Sequence, residues 1–368
     1  MNRTLSTLIT GASVVFFGCT FLQNAYPLFS TGEIYASGVN AQGGGVMRID
    51  PISGDRTIVS GFGVGSGPEL NQVFGITGDS SSTLYLSATL DTDDFPFSSI
   101  VKIDPVTGDR TVLSSNLVGN GITNIAVQYG LHWENGVLLA GDFANDALFS
   151  IDTMTGDRQI ISKSSSTNGP LVGSGPIIPY ISGLRVDAHG MIITSIVDSM
   201  SIVSIDPISG DRTLISKEGE LGSGPEFESP LGLDIDPTDQ SLIVTDFDRE
   251  RLMRVDPLTG DRTTIYSNSL PGGVAPFFEP SAVEFESAGT LLVYEENYSN
   301  LIRFDLTNGN QTVLSNTFPG NVGSGPQFRL YDLFVVPATI PEPSTVILMG
   351  TLVINFVLRR GGTWQFIH

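Results

Sequence analysis

Ile49-Asp50-Pro51-Ile52-Ser53-Gly54-Asp55-Arg56-Thr57 returns five more times along the chain. Its later copies are Ile103-Asp104-Pro105-Val106-Thr107-Gly108-Asp109-Arg110-Thr111, Ile151-Asp152-Thr153-Met154-Thr155-Gly156-Asp157-Arg158, Ile205-Asp206-Pro207-Ile208-Ser209-Gly210-Asp211-Arg212-Thr213 and Val255-Asp256-Pro257-Leu258-Thr259-Gly260-Asp261-Arg262-Thr263. A decayed sixth reads Phe304-Asp305-Leu306-Thr307-Asn308-Gly309-Asn310-Gln311-Thr312. The leading aspartates are 54, 48, 54, 50 and 49 residues apart. Proline presets the first corner of a turn, glycine takes the positive φ, and Asp and Ser/Thr side chains bond the turn backbone. The motif is therefore a reverse turn inside a unit of about fifty residues, the period of a propeller blade.

Working outward, each unit parses into four short strands. In the fifth, Gly232–Ile235, Leu242–Thr245, Leu252–Val255 and Thr263–Tyr266 alternate apolar with polar residues, and the turn joins the third strand to the fourth. The first unit offers only three strands (33–37, 46–50 and 56–60), while an unmatched strand, Tyr331–Val336, stands at the far end. Pairing it beside the first three closes the ring and removes the open edges. The expected fold is all-β: a six-bladed β-propeller whose C-terminal strand completes the N-terminal blade. A second repeat, Gly-Ser-Gly-Pro at 65–68, 173–176, 222–225 and 323–326, falls between the outer strand of one blade and the inner strand of the next.

Composition narrows the partners. Asp+Glu number 39 against Lys+Arg 18, for a net charge of −21. Nucleic acid and anionic headgroups are excluded, since both need a basic surface. Cations and neutral glycans remain. The one cysteine, Cys19, lies in an N-terminal apolar stretch, so the propeller is expected to have no disulfide.

Both ends read as targeting segments. Residues 1–25 present Arg3, an apolar run from Leu5 to Leu22 and a cleavage site at Gln23-Asn24-Ala25, the layout of a signal peptide. In residues 340–368, Pro341-Glu342-Pro343 precedes an apolar run from Val346 to Leu358 and the basic stop Arg359-Arg360. This order resembles the PEP-CTERM sorting signal. The resemblance implies a signal helix and a short apolar sorting helix flanking a propeller over 26–339. It also implies processing by an exosortase-type enzyme, transient inner-membrane contact, and delivery to the cell surface or extracellular matrix. Eight residues follow Arg360, a departure from that family, whose members end close to the basic cluster. The repeat itself resembles the NHL and gluconolactonase-like propellers. There the stretch Ile243-Val244-Thr245-Asp246-Phe247-Asp248-Arg249-Glu250-Arg251-Leu252 is similar to the NHL strand–loop–strand element.

Chemistry is sparse. Of the three histidines, His132 and His189 are expected between first and second strands and His368 in the tail, away from an axial site. The repeated arginines are expected to serve ion pairs or the surface. Loop residues that could hold an oxygen-loving divalent ion, Ca²⁺ by preference, are Asp142, Asn145, Asp198, Asp246, Asp248, Glu295, Glu296 and Asn297. They define the enzymatic alternative, a metal-dependent lactonase or esterase on the Gly-rich face. The leading expectation is a binding or structural propeller contacting an extracellular polysaccharide or protein.

Overall fold

The computed structural model describes residues 29–90, 98–127, 129–134, 136–268, 278–316 and 322–337. The two targeting segments, with Cys19, Pro341, Glu342, Pro343, Arg359, Arg360 and His368, lie outside the described residues. Six four-stranded antiparallel sheets form the ring. The first blade holds β1 (Ile34–Asn40), β2 (Gly43–Ile49) and β3 (Arg56–Gly61). The second runs β4 (Leu70–Gly78), β5 (Leu84–Leu90), β6 (Ser99–Ile103) and β7 (Arg110–Ser114), and the third β8 (Leu131–Glu134), β9 (Val137–Asp142), β10 (Ala147–Ile151) and β11 (Arg158–Lys163). The fourth has β12 (Ile181–Val186), β13 (Ile192–Ile196), β14 (Ser201–Ile205) and β15 (Arg212–Lys217). The fifth has β16 (Pro230–Ile235), β17 (Leu242–Asp246), β18 (Arg251–Val255) and β19 (Arg262–Ser267), and the sixth β20 (Pro280–Ser287), β21 (Thr290–Glu295), β22 (Asn300–Asp305) and β23 (Gln311–Asn316). β24 (Arg329–Val335) pairs with β1 and completes the first blade, so the ring closes as the offset repeat requires.

The turn forms as its chemistry dictates. Asp50 Oδ1 accepts the amides of Ile52 and Ser53, both at 2.8 Å, while the Gly54 amide donates to the Asp50 carbonyl at 2.9 Å with Gly54 at φ 72°. Those amides draw the Asp50 carboxyl below its ordinary range. The third copy keeps the turn without proline, because Asp152 makes the same bonds to Met154 and Thr155. Second strands are buried on both faces; all seven residues of β5 and all five of β17 are covered. Their side chains fill apolar clusters between neighbouring blades, one of which joins Ile34, Met47 and Leu333 to Leu292, Tyr294 and Leu301 across the closure.

The repeated arginines are not surface groups, and ion pairing is not their main role. Arg56, Arg110, Arg158, Arg212 and Arg262 are all buried. Each locks its blade to the preceding one. Arg212 Nε donates to the Pro176 carbonyl at 2.6 Å, and its Nη1 donates to Ser162 Oγ at 2.7 Å and the Val172 carbonyl at 2.8 Å. Ser162 Oγ in turn donates to the Gly210 carbonyl at 2.7 Å. Asp211 accepts the amide and hydroxyl of Ser174 at 2.7 and 2.8 Å. The Gly-Ser-Gly-Pro loop and the Asp-Arg of the turn are thus two halves of one latch. Among the described residues Arg262 alone of the five adds an ion pair, to Glu218 at 2.9 Å. The latch recurs with Ser66 on Asp109, Ser223 on Asp261 and, across the ring closure, Ser324 on Asp55. A fifth copy is disguised: Gly119-Asn120-Gly121-Ile122 docks on Asp157 and Arg158 in the same way, with Asn120 in the serine's place.

Candidate functional site

The loop carboxylates suggested as metal ligands are not brought together. Asp142, Asp246 and Glu295 end the second strands of three different blades, fully buried, and each holds its own loops. Asp142 accepts the amides of Ala126 and Ala144 at 3.0 Å and Asn145 Nδ2 at 2.5 Å. Asp246 accepts the amides of Glu228 and Ser229 at 3.1 and 2.8 Å and pairs with Arg251 at 2.8 Å. Glu295 accepts the amides of Tyr298 and Asn300, both at 3.2 Å, and Asn300 Nδ2 at 2.6 Å. Burial raises the Asp142 carboxyl and pushes that of Glu295 to about 7, against the bonds that favour its charge. Asn145 bridges Asp142 to Asn168, Asp198 and Asn297 are exposed, Asp248 accepts the Ser229 hydroxyl, and Glu296 pairs with Arg329. Among the described residues no three His, Cys, Asp or Glu side chains are placed to hold a metal ion. A Ca²⁺ ion needs six to eight converging oxygens. These residues, separated and already bonded to backbone amides, do not fit one.

Polar chemistry converges on the axis instead, where sequence reading did not place it. At one register position the inner strands carry Phe334, Thr77, His132, Arg185, Asp234 and Glu284 in order round the ring. Arg185 Nε donates to Asp234 Oδ1 at 2.8 Å, and its Nη2 bonds Glu284 Oε1. Asp234 Oδ2 accepts the Phe285 amide at 2.7 Å. Asp332, displaced along β24, accepts the Ile76 amide at 3.0 Å. Burial pushes the Asp332 carboxyl to about 7. Burial also lifts Glu284 well above the carboxylate range, with the charges of Asp234 and Asp332 acting the same way. Burial disfavours the Arg185 charge, yet Glu284 and Asp234 hold it firmly protonated. His132, expected beyond the inner strand, lies within β8 and faces this cluster. The third inner strand starts late, after the chain segment containing Tyr129, which carries His132 onto the axial layer. Burial keeps its imidazole low, against the pull of Glu134.

Above this layer the cavity lined by Tyr129, Leu131, Ser182, Leu231, Ser281 and Asp332 encloses about 20 Å³, room for about one water molecule. The cavity at this level of the axis is small, with Tyr129 and Arg185 in its wall. Aromatic rings from several blades gather there. Phe74 lies 6.3 Å from Tyr129 and 6.1 Å from Tyr331 between ring centroids, and Phe143 lies 5.7 Å from Tyr180. Burial raises the Tyr129 hydroxyl, and the neighbouring Tyr180, Glu296 and Tyr331 add to the shift. Tyr180 and Glu279, entering their inner strands, hold φ of 57° and 54°. The same left-handed geometry recurs at Asp146, Met200, Glu250 and Ser299, each just before a third strand, so it is a turn device of the repeat.

No protein-family model matches the chain, and no curated protein matches it. Among solved structures, a chain of the nidogen/laminin complex superimposes with a TM-score of 0.60 at 13% identity, covering 83% of this chain and 98% of that one. A protein of unknown function from Bacteroides thetaiotaomicron gives 0.52 at 14% identity over 74% of this chain and 66% of its own. A virginiamycin B lyase from Staphylococcus aureus gives 0.49 at 15% identity over 77% and 83%. At such identities the likeness is one of fold, and the fold is the six-bladed β-propeller.

Proposed function

We propose that this chain is an exported binding module that holds an extracellular polysaccharide at the mouth of its axial channel. The observation that carries the reading is the gathering of Phe74, Tyr129, Tyr180 and Tyr331, from four different blades, beside a small axial cavity. Aromatic faces bury large area at small conformational cost, and tyrosine adds a polar edge. The partly exposed Tyr129, Tyr180 and Tyr331 are the faces offered to a sugar ring, with the buried hydroxyls of Ser182 and Ser281 in the wall of the small cavity beside them. The export part rests on the sequence of the two ends: a signal peptide over 1–25 and a sorting segment over 340–368, cut near Pro341-Glu342-Pro343 by an exosortase-type partner.

Titration of the full chain against a panel of soluble polysaccharides, followed by tyrosine fluorescence and calorimetry, tests the binding reading. Tyr129→Ala should weaken the best ligand at least tenfold, about 1.4 kcal/mol, measured below an unfolding transition that the loss of a mostly buried ring will lower. Undiminished binding by that variant, or protein partners captured with no glycan bound, sinks it. Intact-mass measurement of the protein from its native host tests the export reading, which requires new termini near residues 26 and 341.

A further inference from the structure

We propose that the mouth is built for a cationic ligand, a polysaccharide bearing free amines, which enters by displacing the side chain of Arg329 from Glu296. The inference rests on the reading of the mouth as the glycan site and adds the charge of what binds there. Glu296 is an acid with 5% of its side chain exposed, and its described ion pair is with Arg329, whose own side chain is 53% exposed. Arg329 also lies over the Tyr331 ring at 5.6 Å, so a resident guanidinium occupies a cation–π seat at the opening. The Tyr294 hydroxyl, beside this pair, accepts the Leu330 amide at 3.0 Å. The charge of Glu296 is felt at Tyr129, Tyr180 and Tyr294, whose hydroxyls it raises together with burial.

A buried carboxylate is not left unpaired at low cost. When the exposed arginine swings into solvent, another cation must take its place, and an ammonium group among aromatic faces fits both the acid and the rings. The surroundings favour the exchange. Asp198 acts on Tyr180 from the loop side, Glu279 holds its strained position nearby with its carbonyl accepting the Glu296 amide at 3.2 Å, and the whole chain carries a net charge of −21.

Calorimetry of the full chain with a glucosamine tetrasaccharide bearing free amines, and with its fully N-acetylated counterpart, tests the proposal. The amine form should bind at least tenfold tighter, and added salt should erode that margin. Glu296→Gln should abolish the preference. Tyr331→Leu removes the cation–π seat without touching the buried acid, and should reduce the preference several-fold even if the first variant folds poorly. Arg329→Gln should keep the preference or increase it, since the resident competitor is gone. Equal or tighter binding of the N-acetylated form overturns the cationic ligand while leaving the glycan site standing. Failure of both tetrasaccharides to bind also overturns the cationic ligand, while the glycan site itself stands or falls on the polysaccharide panel.

Discussion

Asp332 shows what the axial layer does to single residues. Its carboxyl is held at about 7 by burial, far above the value of an exposed aspartate. Between those two values the folded protein holds a proton that the unfolded chain releases. Its contribution to stability is therefore present at acidic pH and is lost as pH rises from about 4 toward 7. Glu295, also held at about 7, acts in the same direction. The turn aspartates act oppositely. Asp50, Asp55, Asp109, Asp152, Asp206, Asp211, Asp261 and Asp305 are lowered by amide and hydroxyl donors, so their contribution is present above the ordinary carboxylate range and lost as pH falls below it. Stability should peak between the two regimes, on the acid side of neutrality. Asp332→Asn keeps an oxygen for the Ile76 amide but carries no charge. Urea unfolding at pH 4.5 and pH 7.5 should show the parent losing on the order of 2–4 kcal/mol more than the variant between the two conditions. Equal losses would mean that Asp332 ionises in the fold as freely as in the unfolded chain.

At the scale of the element, the latch explains why glycines recur in the loops between blades. Gly224 has φ 106°, and a Cβ there would overlap the backbone carbonyl of Arg262. Gly219, in the same connection, has φ 70° with open space around it. Gly219→Ala should therefore cost only the left-handed conformation, about 1–2 kcal/mol. Gly224→Ala adds the overlap and must push the loop off Arg262, breaking hydrogen bonds to a charged group worth roughly 1.5–3 kcal/mol. Thermal or chemical unfolding of the two variants separates the terms, and equal costs would show that the close approach stores nothing. The same comparison explains what sequence could reveal. Asp50 through Arg56 was legible because one turn is needed six times and a residue that solves it once solves it everywhere. The loop copy at Gly119-Asn120-Gly121-Ile122 was missed because asparagine supplies the same amide and side-chain donors as serine under a different letter. The axial layer was not legible at all. Thr77, His132, Arg185, Asp234 and Glu284 share a register position but no residue type, since each faces a different neighbour on the axis. Asp142, Asp246 and Glu295 misled for the converse reason: acids at loop starts suit a metal, yet here each binds its own backbone amides.

At the scale of the whole molecule, stability depends on the last strand. β24 supplies the inner strand of the first blade, Leu333 and Val335 to the cluster shared with the sixth blade, Phe334 to the one shared with the second, and Asp332 and Arg329 to the axis and mouth. The two ends of the described propeller meet there: the Val336 amide donates to the Glu33 carbonyl at 2.8 Å, and the Gly32 amide donates to the Val336 carbonyl at 2.9 Å. Ring closure thus joins segments some three hundred residues apart through strand pairing and one latch, with Ser324 on Asp55 and Arg56 on the Pro326 carbonyl. Deleting residues 329–337 would leave β1 as an open edge and strip apolar cover from two seams, and the remaining blades should lose a single cooperative transition. Because loss on truncation alone could reflect any missing core strand, a circular permutant makes the sharper test. Joining residue 337 to residue 29 through a short glycine linker, and opening the chain in the exposed turn at Ala188-His189, keeps every strand and every latch. It makes the β24–β1 closure continuous and moves the noncovalent join to the fourth blade, where β12, now at the C-terminal end, is held by pairing with β13 while β13 keeps β14 on its other side. The permutant should fold cooperatively with stability near that of the parent, whereas the truncated chain should not. If the permutant fails as badly as the truncation, strand pairing at β12–β13 cannot replace the join at β24, and ring closure is tied to where the chain is opened rather than to strand pairing alone.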